Sequence, residues 1–189
     1  MGKSRNDLTY EYVNSRLRYE PETGLFFWKE KPPVAGESKT ESRCRKTWNT
    51  RYAEKEAGCE HRVGRNSYEV IRIDDTLYRA HRIAWLLHYG EWPKDQVDHI
   101  NGNGLDNRIE NLRDVTNQEN HKNRSLNSNN SSGVTGVWFH KQVQKWAAEI
   151  KIDGKKRCLG LFADINAAAR ARKEAERKYS FHKNHGRAA

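Results

Sequence analysis

The sequence has few of the residues that define disulfide-linked or membrane-spanning proteins. Its 189 residues include three cysteines, four prolines and one methionine. No apolar run approaches the roughly 20 residues that a helix needs to cross a bilayer. The polar N-terminus also lacks the apolar core of a secretory signal peptide. We therefore expect no membrane partner and a protein that stays in the cytoplasm of the cell that makes it.

The cysteines do not form a pattern that indicates a disulfide framework or a zinc site. Cys44, Cys59 and Cys158 are odd in number and lack CxxC spacing. Reduced thiols are the simplest interpretation, because cytosolic disulfides are rare. A zinc site built from Cys44, Cys59 and His61 would lack a fourth ligand at the usual spacing, so we do not expect zinc.

Acidic residues are fewer than basic ones, which indicates a polyanionic partner. The chain has 25 Asp and Glu against 35 Lys and Arg, a formal net charge of +10. Six Trp, eight Tyr and five Phe supply anchors for folding along most of the length. This composition predicts folded basic domains and not a disordered basic tail.

The first 65 residues combine two short ordered elements with a long polar stretch. Thr9 can cap a helix over 9–17, and the apolar run 25–28 predicts a buried strand. From 29 to 65 the sequence is basic, with interleaved aromatics, and we expect it to be partly irregular. Such a segment is suited to contacting a DNA backbone, although a solvated loop without a partner has the same composition.

Hydrophobic periodicity then predicts a compact domain over 66–125. A turn at 74–76 separates two strand-like runs, and Thr116 with Glu119 forms a capping box. The predicted elements are strands 68–73 and 77–80, a helix over 81–89, a strand and loop around 98–99, and a helix over 116–124.

Residues 126–132 are rich in Ser and Asn, so we interpret them as a linker. Beyond them, strands over 133–139, 145–152 and 157–162 precede an Ala-rich helix that Asp164 or Asn166 can cap. We therefore predict an α+β protein. Its segments are an N-terminal region 1–65, a domain 66–125, the linker 126–132, a small domain 133–182 and a loose tail 183–189.

One segment of the second region carries the chemistry of phosphodiester hydrolysis. It runs Val97-Asp98-His99-Ile100-Asn101-Gly102-Asn103, followed by Asn111-Leu112-Arg113 and Glu119-Asn120. A neutral histidine can accept a proton from water near physiological pH, and a hard cation takes carboxylate and amide oxygens. Because neighbours on a strand point to opposite faces, Asp98 and His99 can approach a phosphate from different sides.

These motifs resemble the HNH nucleases, specifically the phage and intron-type homing endonucleases. The resemblance implies a ββα-metal core that cleaves DNA with one divalent ion, Mg²⁺ or Mn²⁺ in its place. It implies that His99 is the general base, that Asp98 and Asn120 bind the metal, and that Asn111 holds the loop. Arg82, in a His-Arg pair that the family also has, would contact a phosphate.

Residues 133 to about 179 resemble the plant APETALA/ethylene-response-factor DNA-binding domain. The matching residues are Gly136-Val137, Trp146-Ala147-Ala148-Glu149-Ile150, Leu159-Gly160, Phe162 and Ala167-Ala168-Ala169. The resemblance implies a three-stranded antiparallel sheet that enters the major groove with one helix packed behind it. The residues that would contact DNA are Thr135, Trp138, Lys141, Lys145, Lys151, Lys155, Lys156 and Arg157. Trp138 and Cys158 depart from the plant pattern, so the target sequence is not inherited.

The sequence thus predicts a metal-dependent homing-type endonuclease that nicks or cuts double-stranded DNA. We expect a monomer with no obligatory protein partner. Two alternatives stay open: a DNA-binding regulator whose HNH module does not cleave, and a phage nuclease of low specificity.

Overall fold

The computed structural model describes residues 6–64, 66–123, 126–127, 129–183 and 185–186. The chain forms two compact units, 1–114 and 115–189. Both combine helices with small antiparallel sheets, so the predicted α+β class is confirmed. Within the described ranges, no helix has the length and apolar character to cross a bilayer.

The first unit contains three small sheets and three helices. Strands β1 and β2 form one pair, β3, β4 and β5 form a sheet in that order, and β6 pairs with β7. The elements are α1 (Tyr10–Arg16), β1 (Leu17–Tyr19), β2 (Phe26–Trp28), α2 (Lys39–Tyr52), β3 (Cys59–Val63), β4 (Asn66–Ile73), β5 (Thr76–Arg79), α3 (Ala80–Tyr89), β6 (Gln96–His99), a 3₁₀ turn (Ile109–Asn111) and β7 (Leu112–Val115).

Local sequence signals explain the ends of several of these elements. Thr9 caps α1 by accepting a hydrogen bond from the backbone of Tyr12 at 3.2 Å. Asp74 and Asp75 have φ values of 45° and 62°, as a tight hairpin turn requires, and join β4 to β5. Gly90 ends α3 in the left-handed conformation at φ 80°. These elements confirm the strands and helices predicted between 66 and 90.

The core of the first unit lies between α1, α3 and the central strand β4. Burying these apolar side chains is the main force that holds the small sheets to the helices. The fully or almost fully buried residues are Val13, Leu17, Phe26, Ile71, Ile83, Ala84 and Leu86.

The stretch 29–65 is more ordered than its composition predicts. Ser38 and Glu41 form a capping box, and the helix α2 that follows was missed, as was β3. Sequence periodicity did not indicate α2 because none of its residues is buried. The Ser-x-x-Glu pattern at 38–41 is the sequence signal that indicates the start of this helix. Arg65 lies outside the described residues.

The β1–β2 hairpin packs against the backbone of residues 107–109. The Tyr19 hydroxyl donates to the Asn107 carbonyl at 2.7 Å, and the Ile109 amide donates to the Pro21 carbonyl at 3.0 Å. Gly24, at φ 79°, lies so close that a Cβ atom there would be 2.6 Å from the Arg108 nitrogen. The hairpin therefore fixes the position of this segment from one side.

The second unit is a three-stranded sheet with two helices. Its elements are α4 (Asn117–His121), β8 (Val137–His140), β9 (Lys145–Ile152), β10 (Lys155–Phe162) and α5 (Ile165–Lys178). The strand order is β10-β9-β8, and all pairs are antiparallel. Asp164 caps α5 through the backbone amides of Asn166 and Ala167 at 2.8 and 3.0 Å. Ala148 and Ile150 are fully buried and lie in clusters with the α5 residues Ala168 and Ala175.

Three boundaries in the second unit differ from the prediction. The strand predicted over 133–139 begins only at Val137, because Gly133 and Gly136 take positive φ values of 73° and 72° before it. Helix α4 ends at His121, and Arg124, within its predicted span, lies outside the described residues. His185, which was assigned to a loose tail, is buried; residues 184 and 187–189 of that tail are outside the described residues.

The predicted linker is attached to the second unit where the structure describes it. The Ser132 hydroxyl donates to the carbonyls of Val134 and Val137 at 3.0 and 2.7 Å. Residues 125 and 128 lie outside the described part. The compact units divide after Asp114, and the functional division at 126–132 stays a prediction.

We expect Gly24→Ala to destabilise the protein more than Gly36→Ala. Both glycines have φ 79°, so each alanine costs about 1–2 kcal/mol of backbone strain. Only at Gly24 would the new methyl group meet backbone atoms, which adds about 1–3 kcal/mol. Urea unfolding of the two variants measures the difference, and equal losses would show that the hairpin does not press on residues 107–108.

Candidate active site

His99 lies at the end of β6, and its side chain is only 5% exposed. The neighbouring Asp98 is half-buried on the other side of the strand, with a side chain that is 12% exposed. The backbone amide of Ile100 donates to the Asn111 carbonyl at 2.9 Å, just after the strand ends. The structure thus separates the histidine and the carboxylate across the backbone, as strand geometry requires.

Asn107 connects His99 to a carboxylate on the neighbouring sheet. His99 Nε2 lies 3.3 Å from Asn107 Oδ1, and Asn107 Nδ2 donates to Glu69 Oε2 at 2.6 Å. Asn107 is itself only 1% exposed. The three side chains form one buried line from β6 to β4.

While Glu69 is ionised, this line determines which nitrogen of His99 carries the proton. An ionised Glu69 can only accept, so the amide nitrogen of Asn107 must face Glu69 and the amide oxygen must face His99. Because that oxygen is also only an acceptor, His99 Nε2 must carry the hydrogen. Nδ1 is then the basic nitrogen of the ring.

Burial changes the pKa values of both ends of the line. Desolvation lowers the pKa of His99 below its ordinary value, against the opposing effects of Asn107 and Asp98. Desolvation also raises the pKa of Glu69 from 4.5 to about 7, with a further contribution from Glu56. His99 is therefore neutral at physiological pH, and Glu69 changes its charge in the same range.

Two further aromatic rings pack beside the ring of His99. The His81 ring meets it edge-on at a centroid distance of 5.0 Å, and Tyr68 lies at 6.3 Å. His81 Nδ1 is buried and has no hydrogen-bond partner within the described chain. Burial holds the pKa of His81 well below its ordinary value, so this second histidine is neutral. It adds no positive charge beside His99.

Asn111 binds the loop that follows His99. Its Oδ1 accepts from the Asn101 backbone amide at 3.0 Å, and its Nδ2 donates to the Asp106 carbonyl at 2.8 Å. These contacts join the two ends of the loop 101–106. The role predicted for Asn111, holding the loop after His99, needs contacts of this kind. Its part in catalysis stays a prediction.

Asp98 has a partner that the sequence did not indicate. Arg113 donates to Asp98 Oδ2 from Nε at 3.1 Å and from Nη2 at 2.7 Å. The described residues contain no cluster of three or more His, Cys, Asp or Glu side chains that could hold a metal. A hard cation such as Mg²⁺ takes carboxylate oxygens, and the carboxylate of Asp98 is a donor of that kind.

Two further predicted site residues lie on helices. Asn120 lies on α4 in the second unit, where its backbone amide donates to the Thr116 carbonyl at 3.0 Å. Arg82 is only 7% exposed, and its guanidinium donates to the Asp95 carbonyl at 3.0 Å and to Asn6 at 2.8 Å. The expected phosphate contact of Arg82 has no support, because internal partners already bind its buried side chain.

The sheet of the second unit divides the predicted DNA-contacting residues between its two faces. Cross-strand partners share a face, and Ile150 and Ile152 point towards α5. Lys155 and Arg157 pair with these two residues and lie on the helix side. The exposed residues on the opposite, open face are Trp138, Lys145, Lys151 and Lys156.

The remaining two predicted contacts lie outside the strands. Lys141 is exposed in the turn between β8 and β9. Thr135 precedes β8, and its hydroxyl is buried with no hydrogen-bond partner among the described residues. A buried hydroxyl cannot reach a phosphate without a local rearrangement, so Thr135 is not placed for contact.

Comparison with known proteins finds matches to part of the chain. Residues 78–122, which include Asp98, His99, Asn111 and Asn120, match the family model described as HNH endonuclease. Both this match and a relative support a phage HNH-type protein. The relative, Protein 3.8 of Escherichia phage T7, is 33% identical over 79 residues, which are 41% of this chain and 65% of that protein. No solved structure matches the chain.

The matched range leaves much of the molecule without a family. It covers neither α2 nor the β8–β10 sheet. The resemblance of that sheet to the plant domain therefore stays a prediction. Glu69, which sequence reasoning missed, also lies before the matched range, and only the fold of the β3–β5 sheet brings it to Asn107.

We expect Glu69→Gln to change how stability depends on pH. Between pH 4.5 and about 7 the unfolded chain ionises Glu69 while the folded protein keeps it protonated. The wild type therefore loses stability as the pH rises through this range. The glutamine cannot ionise, yet it still offers an oxygen to Asn107.

Urea unfolding at a series of pH values measures this effect. The exposed Glu91→Gln is the control, and we expect its profile to follow the wild type. If the stability of Glu69→Gln depends on pH between 4.5 and 7 in the same way as that of the wild type, the pKa of Glu69 is not raised.

Proposed function

We propose that this protein is a metal-dependent endonuclease that hydrolyses phosphodiester bonds in double-stranded DNA. The observation that supports the proposal best is His99, buried and oriented through Asn107, within a segment that matches the HNH endonuclease family. The net charge of +10 suits a nucleic acid partner. A homing-type role, with preference for a site, is the finer part of the proposal.

His99 acts as the general base in the proposed reaction. Its Nδ1 accepts a proton from a water molecule while the water oxygen attacks the phosphorus, and the bond to the 3′ oxygen breaks. Asn107 supports this role because it keeps the proton of the neutral ring on Nε2. Asn111 supports it indirectly, by holding the loop that begins beside His99.

Asp98 and Asn120 are the residues proposed to bind the divalent cation, Mg²⁺ or Mn²⁺. When bound, the cation supplies charge neutralisation at the phosphate and at the departing oxygen. Arg113 holds one carboxylate oxygen of Asp98 and orients it through two hydrogen bonds. The same pairing favours the alternative in which the HNH module binds DNA without cleaving it, because Arg113 competes with a cation for Asp98.

The second unit is proposed to bind duplex DNA through the open face of its sheet. Lys145, Lys151 and Lys156 lie there, and Trp138 is 39% exposed among them. Lys156 pairs with Glu149 on the same face at 3.3 Å, so Lys145 and Lys151 supply the net positive charge. A two- or three-stranded ribbon can enter the major groove, which is about 12 Å wide. Phosphate contacts by these lysines would position the sheet without specifying a sequence.

We expect that the His99→Ala variant no longer converts supercoiled plasmid to open circles or linear DNA in the presence of Mg²⁺. Loss of a general base lowers rates by about 10² to 10⁴. The exposed His88 lies on α3 and serves as the control, because His88→Ala removes a histidine outside the site. Open circles or linear plasmid with wild type and His88→Ala, but not with His99→Ala or with EDTA, are the expected result.

The plasmid assay also separates the alternatives. Wild type that binds plasmid and leaves it supercoiled with both Mg²⁺ and Mn²⁺ contradicts the nuclease and favours the regulator. Cleavage that His99→Ala leaves unchanged contradicts the role of His99. Random fragments without a preferred site favour a phage nuclease of low specificity over a homing-type enzyme.

We expect Lys151→Gln with Lys156→Gln to weaken DNA binding more than Lys155→Gln with Arg157→Gln. Both double variants remove two positive charges from the β9–β10 hairpin, and only the first pair lies on the open face. Losing two phosphate contacts lowers the slope of log affinity against log salt by about 2. Equal effects of the two pairs would contradict binding through the open face.

A further inference from the structure

Helix α2 is attached to the first unit along one side. All 14 of its residues, Lys39–Tyr52, escape full burial, so the hydrophobic core contributes little to its position. A helix of this kind needs specific polar and aromatic contacts to stay in place. Those contacts determine which side remains open.

The attached side is built around Trp48 and Asn49. Trp48 meets Trp28 edge-on at a centroid distance of 5.6 Å, and Lys31 Nζ lies 4.1 Å from the Trp48 ring centre. Asn49 accepts from the Lys31 amide and donates to the Lys31 carbonyl, both at 3.0 Å. These contacts fix the rotation of the helix about its own axis.

The first turns of α2 are held as well. Arg45 forms an ion pair with Glu37 at 2.7 Å, and both side chains are largely buried, at 14% and 16% exposed. Ser38 and Glu41 close the helix start through their capping box. Glu41, the one acidic residue of the helix, is thereby engaged at the N-terminus.

The opposite side of α2 carries a row of positive charge. At 100° per residue, Lys39, Arg43 and Lys46 fall within an arc of about 60° over about 10 Å of helix, and Thr50 lies in the same arc about one turn further on. We call these four residues the basic stripe. All are exposed, and no ion pair involves them within the described part of the chain.

Helix α5 shows how an ordinary solvated face differs. Arg170, Glu174 and Arg177 are exposed at the same spacing as the three cations of the basic stripe. Their alternating sign lets neighbouring charges offset one another. The basic stripe has like charges at this spacing, which destabilises an isolated helix and is favourable only beside a polyanion.

We propose that the basic stripe of α2 binds the phosphate backbone of double-stranded DNA. The proposal rests on the proposed function, because it assigns a second contact to the same substrate. Lys and Arg neutralise phosphates, so the stripe supplies affinity and orientation without reading bases. Its fixed rotation means that the three charges meet the DNA together.

The salt dependence of binding tests the proposal. Binding of a duplex DNA oligonucleotide is measured with EDTA over about 50–200 mM salt, in the His99→Ala background so that cleavage does not interfere. The test variant carries Lys39→Gln, Arg43→Gln and Lys46→Gln. The matched control removes three exposed charges elsewhere in the first unit, through Lys55→Gln, Arg62→Gln and Lys94→Gln.

We expect the stripe variant to lower the slope of log affinity against log salt by about 2 to 3, and the control by less than about 1. Circular dichroism should be the same for both, because glutamine is as good a helix former as lysine and arginine. Equal slopes for the two variants overturn the proposal. A stripe effect on duplex RNA alone overturns the assignment to DNA.

The outcomes also distinguish this proposal from the nuclease. If wild type fails to cut plasmid but the stripe variant shows the lower slope, the proposed nuclease activity is wrong and the DNA contact of α2 is supported. If wild type cuts plasmid and the stripe variant binds with an unchanged slope, the nuclease activity is supported and the DNA contact of α2 is wrong.

Discussion

The candidate site depends on the orientation of one buried amide. Asn107 donates to Glu69 and accepts from His99, and it can do both only with its nitrogen towards the carboxylate. Because the ionised Glu69 can only accept, the amide oxygen of Asn107 faces His99, and the neutral ring of His99 carries its proton on Nε2. A carboxylate in direct contact with His99 would instead stabilise its charged form, which cannot act as a base.

The surrounding fold keeps this amide in place. The β1–β2 hairpin holds the backbone of residue 107 through Tyr19, while Asn111 joins the ends of the loop 101–106. Gly104 lies against Tyr68 so closely that a Cβ atom would overlap it. Strand β4 and the hairpin, which lie before the matched segment, are thus parts of the site. The second unit and α2 are proposed to add positive charge for binding DNA.

Local sequence signals predicted much of the fold. Thr9, Asp74-Asp75, Gly90 and Asp164 mark the ends of elements through backbone chemistry that acts over a few residues. Helix α2 was missed because periodicity detects buried faces, and this helix has none. His99 and Asp98 were predicted from adjacent residue types. The Glu69–Asn107 contact and the Arg113–Asp98 pair were not, because they join residues 38 and 15 positions apart through the tertiary fold.

The most direct test of the account is the tautomer of His99. Long-range ¹H–¹⁵N NMR of the imidazole rings reports it, and the spectrum of His99→Gln identifies the signals. Above the pKa of Glu69, about 7, the account predicts a neutral ring protonated on Nε2. A neutral ring protonated on Nδ1 would contradict it, because Asn107 would then not orient the base.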